Sequence, residues 1–354
     1  MLWRFGPLHF MRCFTWWSLH CSSCSKLVYH FVFLTMIVIK NERANYRRRW
    51  VPRLRWGALL CVMVLIYGSH APLIALSKVE GRVPFNPTSC VIMIELAKLL
   101  LSFAALVATE GTSAFFAPPS PFLVAPYAVP AALYALNNNL VVLMQAHMDP
   151  SSFQILSNFK IGTTALLYSL CLGRRLRWGQ WFSLGLLMMA GVCHSYSSLD
   201  PTDLNAAQRG ARLHITLWGL FLMLLYCCAS GLAAVYTESV LKSQKLPLTL
   251  QNVYLYVFGI IINGVSSLSA LVSDKSFLEG YSWIVWTIVA GQAANGLLMS
   301  VVLKHGSGIT RLFVISCSML VNAVFSWAVL GLQLTFFFLL PLSMVTLAAY
   351  LYYM

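Results

Sequence analysis

The chain has 354 residues, of which 59% are hydrophobic and only 10% are charged. Soluble domains carry about 25% charged residues, so this composition excludes a soluble globular protein and predicts several membrane-spanning segments. The formal net charge of +14 would suit a nucleic-acid partner, but membrane topology explains where the basic residues lie, so no nucleic acid is expected.

Ten apolar segments are long enough to cross a hydrocarbon layer of ~30 Å as helices. The end of the fourth segment, Leu172-Gly173, resembles the end of the ninth, Leu330-Gly331. Five spans in each half would invert the second half relative to the first, so we expect an all-α membrane protein with two inverted five-helix repeats, at about 55–197 and 214–354. The segments lie at about 57–76, 88–108, 122–145, 152–171, 179–197, 214–240, 248–272, 282–303, 310–330 and 333–353.

Basic residues are concentrated on one side of the predicted membrane. With ten spans, the clusters at 43–55, 174–177, 242–245 and 304–311 all fall on the same side, whereas the loops opposite mix basic with acidic residues. Cytosolic loops carry the excess of lysine and arginine, so we expect both termini in the cytosol.

The first 54 residues differ from the rest and are expected to form a partly disordered cytosolic extension before a transporter domain at 55–354. The apolar run Leu27–Ile39 has 13 residues, too few to span. Cys21 and Cys24 form a single C-x-x-C pair without further ligands, so no metal site is predicted.

Lys160 is the most unusual residue, because it lies inside Ser151–Cys171, which otherwise has the composition of a membrane span. Counted back from Gly173, it lies roughly 20 Å from one membrane face. A lysine at that depth costs about 2.5–3.5 kcal/mol, so it must face a cavity, a partner charge or a ligand. We expect an anionic ligand. The alternative is an ion pair with Glu95 or Glu238.

Other polar side chains inside the spans gather at three points. Buried amides need partners, which a nucleobase, a sugar or neighbouring helices would provide. Cations, amides and aromatic rings together predict a pocket for a phosphorylated, ring-containing anion, and no arrangement typical of an enzyme is present. These polar residues are Asn137, Asn138 and Asn139 in the third span, Ser230, Tyr236 and Glu238 in the sixth, and Arg311, Ser316, Ser318 and Asn322 in the ninth.

These residues lie in motifs that resemble the pyrimidine nucleotide-sugar transporters, which include the CMP-sialic acid and UDP-galactose transporters. The most specific stretch joins the third and fourth spans, where Leu133–Leu140 reads LYALNNNL and Phe159–Leu166 reads FKIGTTAL. The resemblance covers about 55–354 and implies the drug/metabolite transporter fold. Further similar motifs are Glu95–Leu100, Val235–Glu238 and Ile309–Phe313.

The resemblance also implies which residues bind substrate. A lysine at Lys160 and a second cation at Arg311 would contact phosphates, and the amide of Asn138 with the ring of Tyr236 would lie along the nucleoside. The other substrate-binding residues expected are Asn137, Tyr134, Phe153 and Ser316.

The function implied is a Golgi membrane antiporter. It would carry a pyrimidine nucleotide-linked sugar or alditol from cytosol to lumen in exchange for a nucleoside monophosphate, with CDP-ribitol as the favoured cargo and UDP- or CMP-sugars as alternatives. No cofactor is implied. Membrane lipids and other Golgi nucleotide-sugar transporters are the remaining partners expected.

The chain departs from the family pattern at several positions, so two other functions stay open. The family has tyrosine where this chain has Phe153 and Ser157, lysine at Arg311, and an Asp-Asn pair at Ser307-Gly308. Loss of phenols suits a flexible alditol, but it would equally suit a non-transporting scaffold with the same fold. A proton-coupled metabolite exporter is the other alternative, and it would need a carboxylate such as Glu238 that is free to titrate.

Overall fold

The structure is a computed structural model that describes residues 53–79, 83–110, 120–144, 147–148, 150–197, 216–266, 277–330 and 339–354. The predicted amino-terminal extension, apart from its last two residues, lies outside the described residues, as does the pair Cys21 and Cys24. Helices occupy each of the ten segments that the apolar pattern predicts.

Eight of the ten segments are single α-helices, and two are composite. Segment α3 consists of Pro121–Val124, a 3-10 turn at Ala125–Tyr127, and Ala128–Met144. Segment α4 consists of Pro150–Leu156, a 3-10 turn at Ser157–Phe159, and Lys160–Cys171. The others are α1 Arg53–Ser77, α2 Pro87–Glu110, α5 Trp178–Ser197, α6 Leu217–Ser243, α7 Leu248–Ser266, α8 Trp283–His305, α9 Gly308–Leu330 and α10 Leu339–Tyr353.

Six of the helices are individually long and apolar enough to cross a membrane: α1, α2, α6, α7, α8 and α9. Many of their large apolar side chains point outward, including Leu65, Leu100, Phe221 and Leu224, as expected of surfaces that face lipid. The prediction of an all-helical, multi-pass membrane protein is therefore confirmed.

The helices pack in a regular set of pairs. Helix α1 contacts α8 and α9, α6 contacts α3 and α4, α2 contacts α7 and α8, α3 contacts α7, and α5 contacts α10. Exchanging each helix with the one five places away reproduces the set: α1–α9 becomes α6–α4, α1–α8 becomes α6–α3, and α2–α8 becomes α7–α3.

Glycines allow the closest of these contacts. A Cβ atom at Gly68 of α1 would lie 2.8 Å from the carbonyl oxygen of Ser318 in α9. A Cβ atom at Gly231 of α6 would lie 3.1 Å from the Cα atom of Thr164 in α4. Backbones approach this closely only where the side chain is absent, as is common between membrane helices. The α6–α4 contact brings α6 beside the part of α4 that carries Lys160.

Candidate functional site

The 3-10 turn of α4 comes immediately before Lys160. The buried side chain of Asn158 holds this turn, because its Nδ2 atom donates hydrogen bonds to the carbonyl oxygens of Gln154 (2.9 Å) and Ile155 (3.2 Å) and to Ser195 Oγ of α5 (3.1 Å). Sequence analysis predicted an uninterrupted helix here. A 3-10 turn inside a helix often marks a functional position. This turn sets the backbone position from which the Lys160 side chain extends.

Helix α5 leaves space for Asn158. A Cβ atom at Gly191 would lie only 2.2 Å from Asn158 Oδ1. Sequence analysis did not identify Asn158 as a site residue. The available signal was an amide two positions before Lys160 in an otherwise apolar run, because a buried amide requires hydrogen-bond partners.

Lys160 and Arg311 are brought together by the fold. Lys160 is partly buried on α4, which contacts α9, and the guanidinium group of Arg311 in α9 lies within electrostatic range of it. The Nε and Nη1 atoms of Arg311 are buried and lack a hydrogen-bond partner among the described residues. Two adjacent cations repel each other, so an anion between them would relieve repulsion and satisfy the orphaned donors.

The alternative considered for Lys160, an ion pair with Glu95 or Glu238, is wrong. Glu95 Oε1 accepts a bond of 2.5 Å from Lys98 Nζ, one turn away on α2. Glu238 Oε1 accepts a bond of 2.7 Å from Lys242 Nζ, one turn away on α6. In each case a nearer lysine, three or four residues along the same helix, pairs with the carboxylate. Within the described part of the chain, both site cations are without a carboxylate partner.

Aromatic side chains line the site beside the cations. The ring of Phe153 in α4 lies 5.8 Å from the ring of Tyr226 in α6, centroid to centroid, with 55° between their planes. Tyr226 also lies within electrostatic range of Arg311. Helices α4, α6 and α9 contact one another. Tyr226 was missed by sequence analysis, because no local pattern marks a tyrosine near an arginine that is distant in the sequence.

A hydrogen bond fixes α6 against α4 at the depth of Lys160. Thr163 Oγ1 donates to the carbonyl oxygen of Cys227 (3.1 Å) and also contacts the carbonyl oxygen of Lys160 (3.2 Å). Thr164 Oγ1 donates to the same Lys160 oxygen at 2.6 Å. These hydroxyls satisfy backbone carbonyls where the 3-10 turn changes to α-helix.

The three asparagines of α3 have different surroundings. Asn137 is buried and its Oδ1 atom has no hydrogen-bond partner among the described residues, whereas Asn138 is exposed. Asn139 Nδ2 donates to the carbonyl oxygen of Ala135 within its own helix at 2.9 Å. Tyr134, on the same helix, has its hydroxyl 3.5 Å from Thr237 Oγ1 of α6. Asn137 is thus the amide that best fits a buried polar ligand.

Two of the predicted site residues lie further from the cations. Tyr236 is nine residues beyond Cys227 on α6, or about 13.5 Å along the helix axis, and packs against an apolar cluster that includes Tyr127 and Leu255. Ser316 is five residues beyond Arg311, or about 7.5 Å along α9, and its Oγ atom is buried without a hydrogen-bond partner among the described residues. A ligand reaching all these residues would have to be elongated.

A polar network joins the end of α6 to the turn between α8 and α9, and we call it the α6–turn network. Lys242 Nζ donates to the carbonyl oxygen of Gly306 at 2.5 Å, and the backbone N–H of Gly308 donates to Glu238 Oε2 at 2.6 Å. Lys304 Nζ donates to the carbonyl oxygens of Leu241 and Gln244. The two elements are therefore locked together at this end of the molecule.

Gln244 extends the α6–turn network to α3. Its Oε1 atom accepts a bond of 2.9 Å from the hydroxyl of Tyr127, and its Nε2 atom donates to the carbonyl oxygen of Leu123 at 3.0 Å. The start of α3, the end of α6 and the α8–α9 turn are thus held together. Among the described residues, no group of three or more metal-binding side chains is present, and the chemistry of the site suits an organic anion.

Comparisons with known proteins agree with this arrangement. A family model described as nucleotide-sugar transporter matches residues 54–353. The chain is similar to proteins named "Probable UDP-sugar transporter protein SLC35A4". The one from Danio rerio is 59% identical over 318 residues, which is 90% of this chain and 100% of the relative. The Xenopus tropicalis protein is 50% identical (89% and 98% coverage), and the Homo sapiens protein is 50% identical (84% and 94%).

A crystal structure of another protein shows a similar fold, with a TM-score of 0.62 at 11% identity, over 83% of this chain and 95% of that chain. The curated relatives are named as transporters, so the chain is a transporter and not an enzyme. The resemblance expected from the motifs around Lys160 and Arg311 is confirmed. With a family model matching nearly all of its membrane helices, the chain belongs to the nucleotide-sugar transporter family.

Proposed function

We propose that the protein is a Golgi antiporter that exchanges a cytosolic pyrimidine nucleotide-linked sugar or alditol for a luminal nucleoside monophosphate. The observation that carries this proposal is the pair of cations Lys160 and Arg311, which lie within electrostatic range of each other and lack a carboxylate partner in the described part of the chain, with two buried Arg311 donors unpaired. Every expected cargo carries a phosphate group, and a phosphate group is a ligand that both cations can bind.

The architecture proposed is two inverted five-helix repeats within residues 55–354. Replacing each of the first five helices by its counterpart among the last five reproduces the set of helix contacts, which supports this architecture. A glycine lies at each of two equivalent contacts, Gly68 at α1–α9 and Gly231 at α6–α4, which also supports it. Inverted repeats place a substrate near the middle of the membrane, where the two halves meet. Lys160 on α4 and Arg311 on α9 belong to different halves.

The proposed cargo is CDP-ribitol, with CMP as the counter-substrate. One pocket must bind both compounds, so recognition rests on the shared base, ribose and first phosphate. Phe153 and Ser157 offer no phenol to a rigid sugar, which favours a small flexible alditol. The printed names of the relatives refer to UDP-sugars, so UDP-galactose and UMP are the competing pair to be tested.

A proton-coupled exporter is less well supported, because Glu95 and Glu238 are both held in ion pairs. A scaffold that does not transport is distinguished from a transporter by measuring the flux of nucleotide through the purified protein.

Purified protein in liposomes preloaded with CMP should take up CDP-ribitol faster than UDP-galactose, and Lys160→Ala should abolish uptake. Lys245→Ala, which removes an exposed cation at the end of α6, is the control.

Three results would contradict this assignment. Ready exchange of UDP-galactose with no response to CDP-ribitol or CMP would show that the cargo is wrong. Uptake that follows an imposed pH gradient and ignores internal monophosphate would show a proton-coupled exporter. Folded protein with no flux of any compound would show a scaffold.

A further inference from the structure

Tyr226 occupies a position that the proposed function does not yet use. It directly precedes Cys227, whose carbonyl oxygen accepts the hydrogen bond from Thr163 of α4. That bond fixes the backbone of α6 beside Lys160. The Tyr226 side chain is partly buried and its ring contacts Phe153 at 5.8 Å, so the ring itself is held between α6 and α4.

The polar end of Tyr226 lies in a different environment from its ring. The ring borders an apolar cluster that includes Met144, Met148 and Met223. The hydroxyl makes no hydrogen bond within the described residues, and the side chain lies within electrostatic range of Arg311. A phenol with an apolar body, a fixed ring and an unused donor near an arginine has the geometry of a ligand contact.

We propose that the Tyr226 hydroxyl is a third donor to the phosphate bound by Lys160 and Arg311. This inference rests on the proposed function. Two cations and one phenol would approach the phosphate from α4, α9 and α6. A neutral O–H donor adds a charge-assisted hydrogen bond to a phosphate oxygen without adding to the repulsion between Lys160 and Arg311.

The phosphate contacted is the one shared by the nucleotide-linked cargo and the nucleoside monophosphate, because Lys160 and Arg311 must serve both compounds in the same pocket. Tyr226 therefore contributes to binding in both directions of exchange. A purely structural tyrosine would act through ring packing on Phe153 alone, and phenylalanine would replace it without loss.

Tyr226→Phe separates these two roles, since it keeps the ring and removes only the hydroxyl. We expect the affinity for CMP and for CDP-ribitol to fall by a similar factor, about tenfold, as for a lost hydrogen bond to a charged group. Binding is measured by the CMP concentration needed to raise the melting temperature and by competition in counterflow. Without nucleotide, the melting temperature should match that of the unchanged protein.

Tyr254→Phe is the matched control, because it removes a phenol from a tyrosine of α7 whose ring packs at a tilt against Tyr127, in a different cluster from Tyr226. An affinity of Tyr226→Phe for CMP and CDP-ribitol equal to that of the unchanged protein would overturn the inference. A loss for CDP-ribitol alone would also overturn it, because the hydroxyl would then contact the part beyond the shared phosphate. If the unchanged protein neither binds nor exchanges any nucleotide, the proposed function itself is wrong. The two failures are therefore distinguishable.

Discussion

At the scale of single residues, the site depends on two cations that lie far apart in the sequence but on helices that contact each other. Lys160 and Arg311 lie within electrostatic range of each other, while Glu95 and Glu238 are paired with other lysines. Such an arrangement costs free energy unless an anion is bound. Arg311 also offers a planar fork with two donors for one phosphate, whereas a lysine offers a point charge.

The first prediction concerns these two side chains. Lys160→Ala should abolish exchange while leaving folded, correctly sorted protein, because it removes the central charge of the site. Arg311→Lys should retain more nucleotide binding than Arg311→Ala, since charge survives while the fork is lost. Counterflow and nucleotide-dependent melting measure both effects. Unchanged uptake by Lys160→Ala would remove the basis of the proposed function.

At the scale of elements, two local devices set the geometry of the site. The 3-10 turn of α4 positions Lys160 and is held by Asn158 against α5. The α6–turn network holds the end of α6 to the turn that leads into α9, three residues before Arg311. Each device joins separate helices at a position close to one of the two site cations in the sequence.

The second prediction concerns the space beside the 3-10 turn. Gly191→Ala places a Cβ atom against Asn158, which is held by three hydrogen bonds and cannot easily move. Overpacking of this kind costs about 1–3 kcal/mol, so the melting temperature and the CMP affinity should both fall. Gly185→Ala on the same helix meets nothing within 4 Å and is the control. Equal melting temperatures for the two variants would show that the turn adapts.

The third prediction concerns the α6–turn network. Glu238→Ala leaves the buried N–H of Gly308 without an acceptor and removes the carboxylate from Lys242, so stability should fall by about 1–3 kcal/mol. Glu238→Gln should cost less, because its amide oxygen still accepts from Gly308. Lys245→Ala, nearby and exposed, is the control. A melting temperature for Glu238→Ala equal to that of the control would contradict this account.

At the scale of the whole molecule, the set of contacting helix pairs is unchanged when the first five helices are exchanged with the last five. Such symmetry would let the same contacts break and form at opposite ends of the molecule during exchange. The α6–turn network lies at the end that carries Lys242, Lys245 and Lys304, the end that the positive charge assigns to the cytosol. The described conformation is therefore held together at the proposed cytosolic end.

The fourth prediction concerns topology. Deletion of residues 1–35 should leave exchange intact and both termini cytosolic, because the arginines from Arg43 to Arg55 remain. Protease protection in sealed vesicles and the counterflow assay measure these outcomes. A luminal amino terminus in the full-length protein would mean that 27–39 crosses the membrane, and the proposed span count would be wrong.

The sequence by itself determined the class of protein and the helical segments, because both follow from local composition. Runs of apolar residues of membrane length form helices whatever their neighbours, since every backbone N–H and C=O group must be satisfied inside lipid. Lys160 was also recognisable from the sequence, because the cost of a buried charge depends only on its depth in an apolar run. Family membership followed from motifs around these residues.

The pairing of Glu95 with Lys98 and of Glu238 with Lys242 is local, because each lysine lies one helical turn from its carboxylate. Only the tertiary structure decided which groups from different helices come together. The approach of Arg311 to Lys160, the ring of Tyr226 on Phe153, and the gap at Gly191 all depend on contacts between different helices. Such contacts arise from packing between distant segments, and local composition carries no record of them.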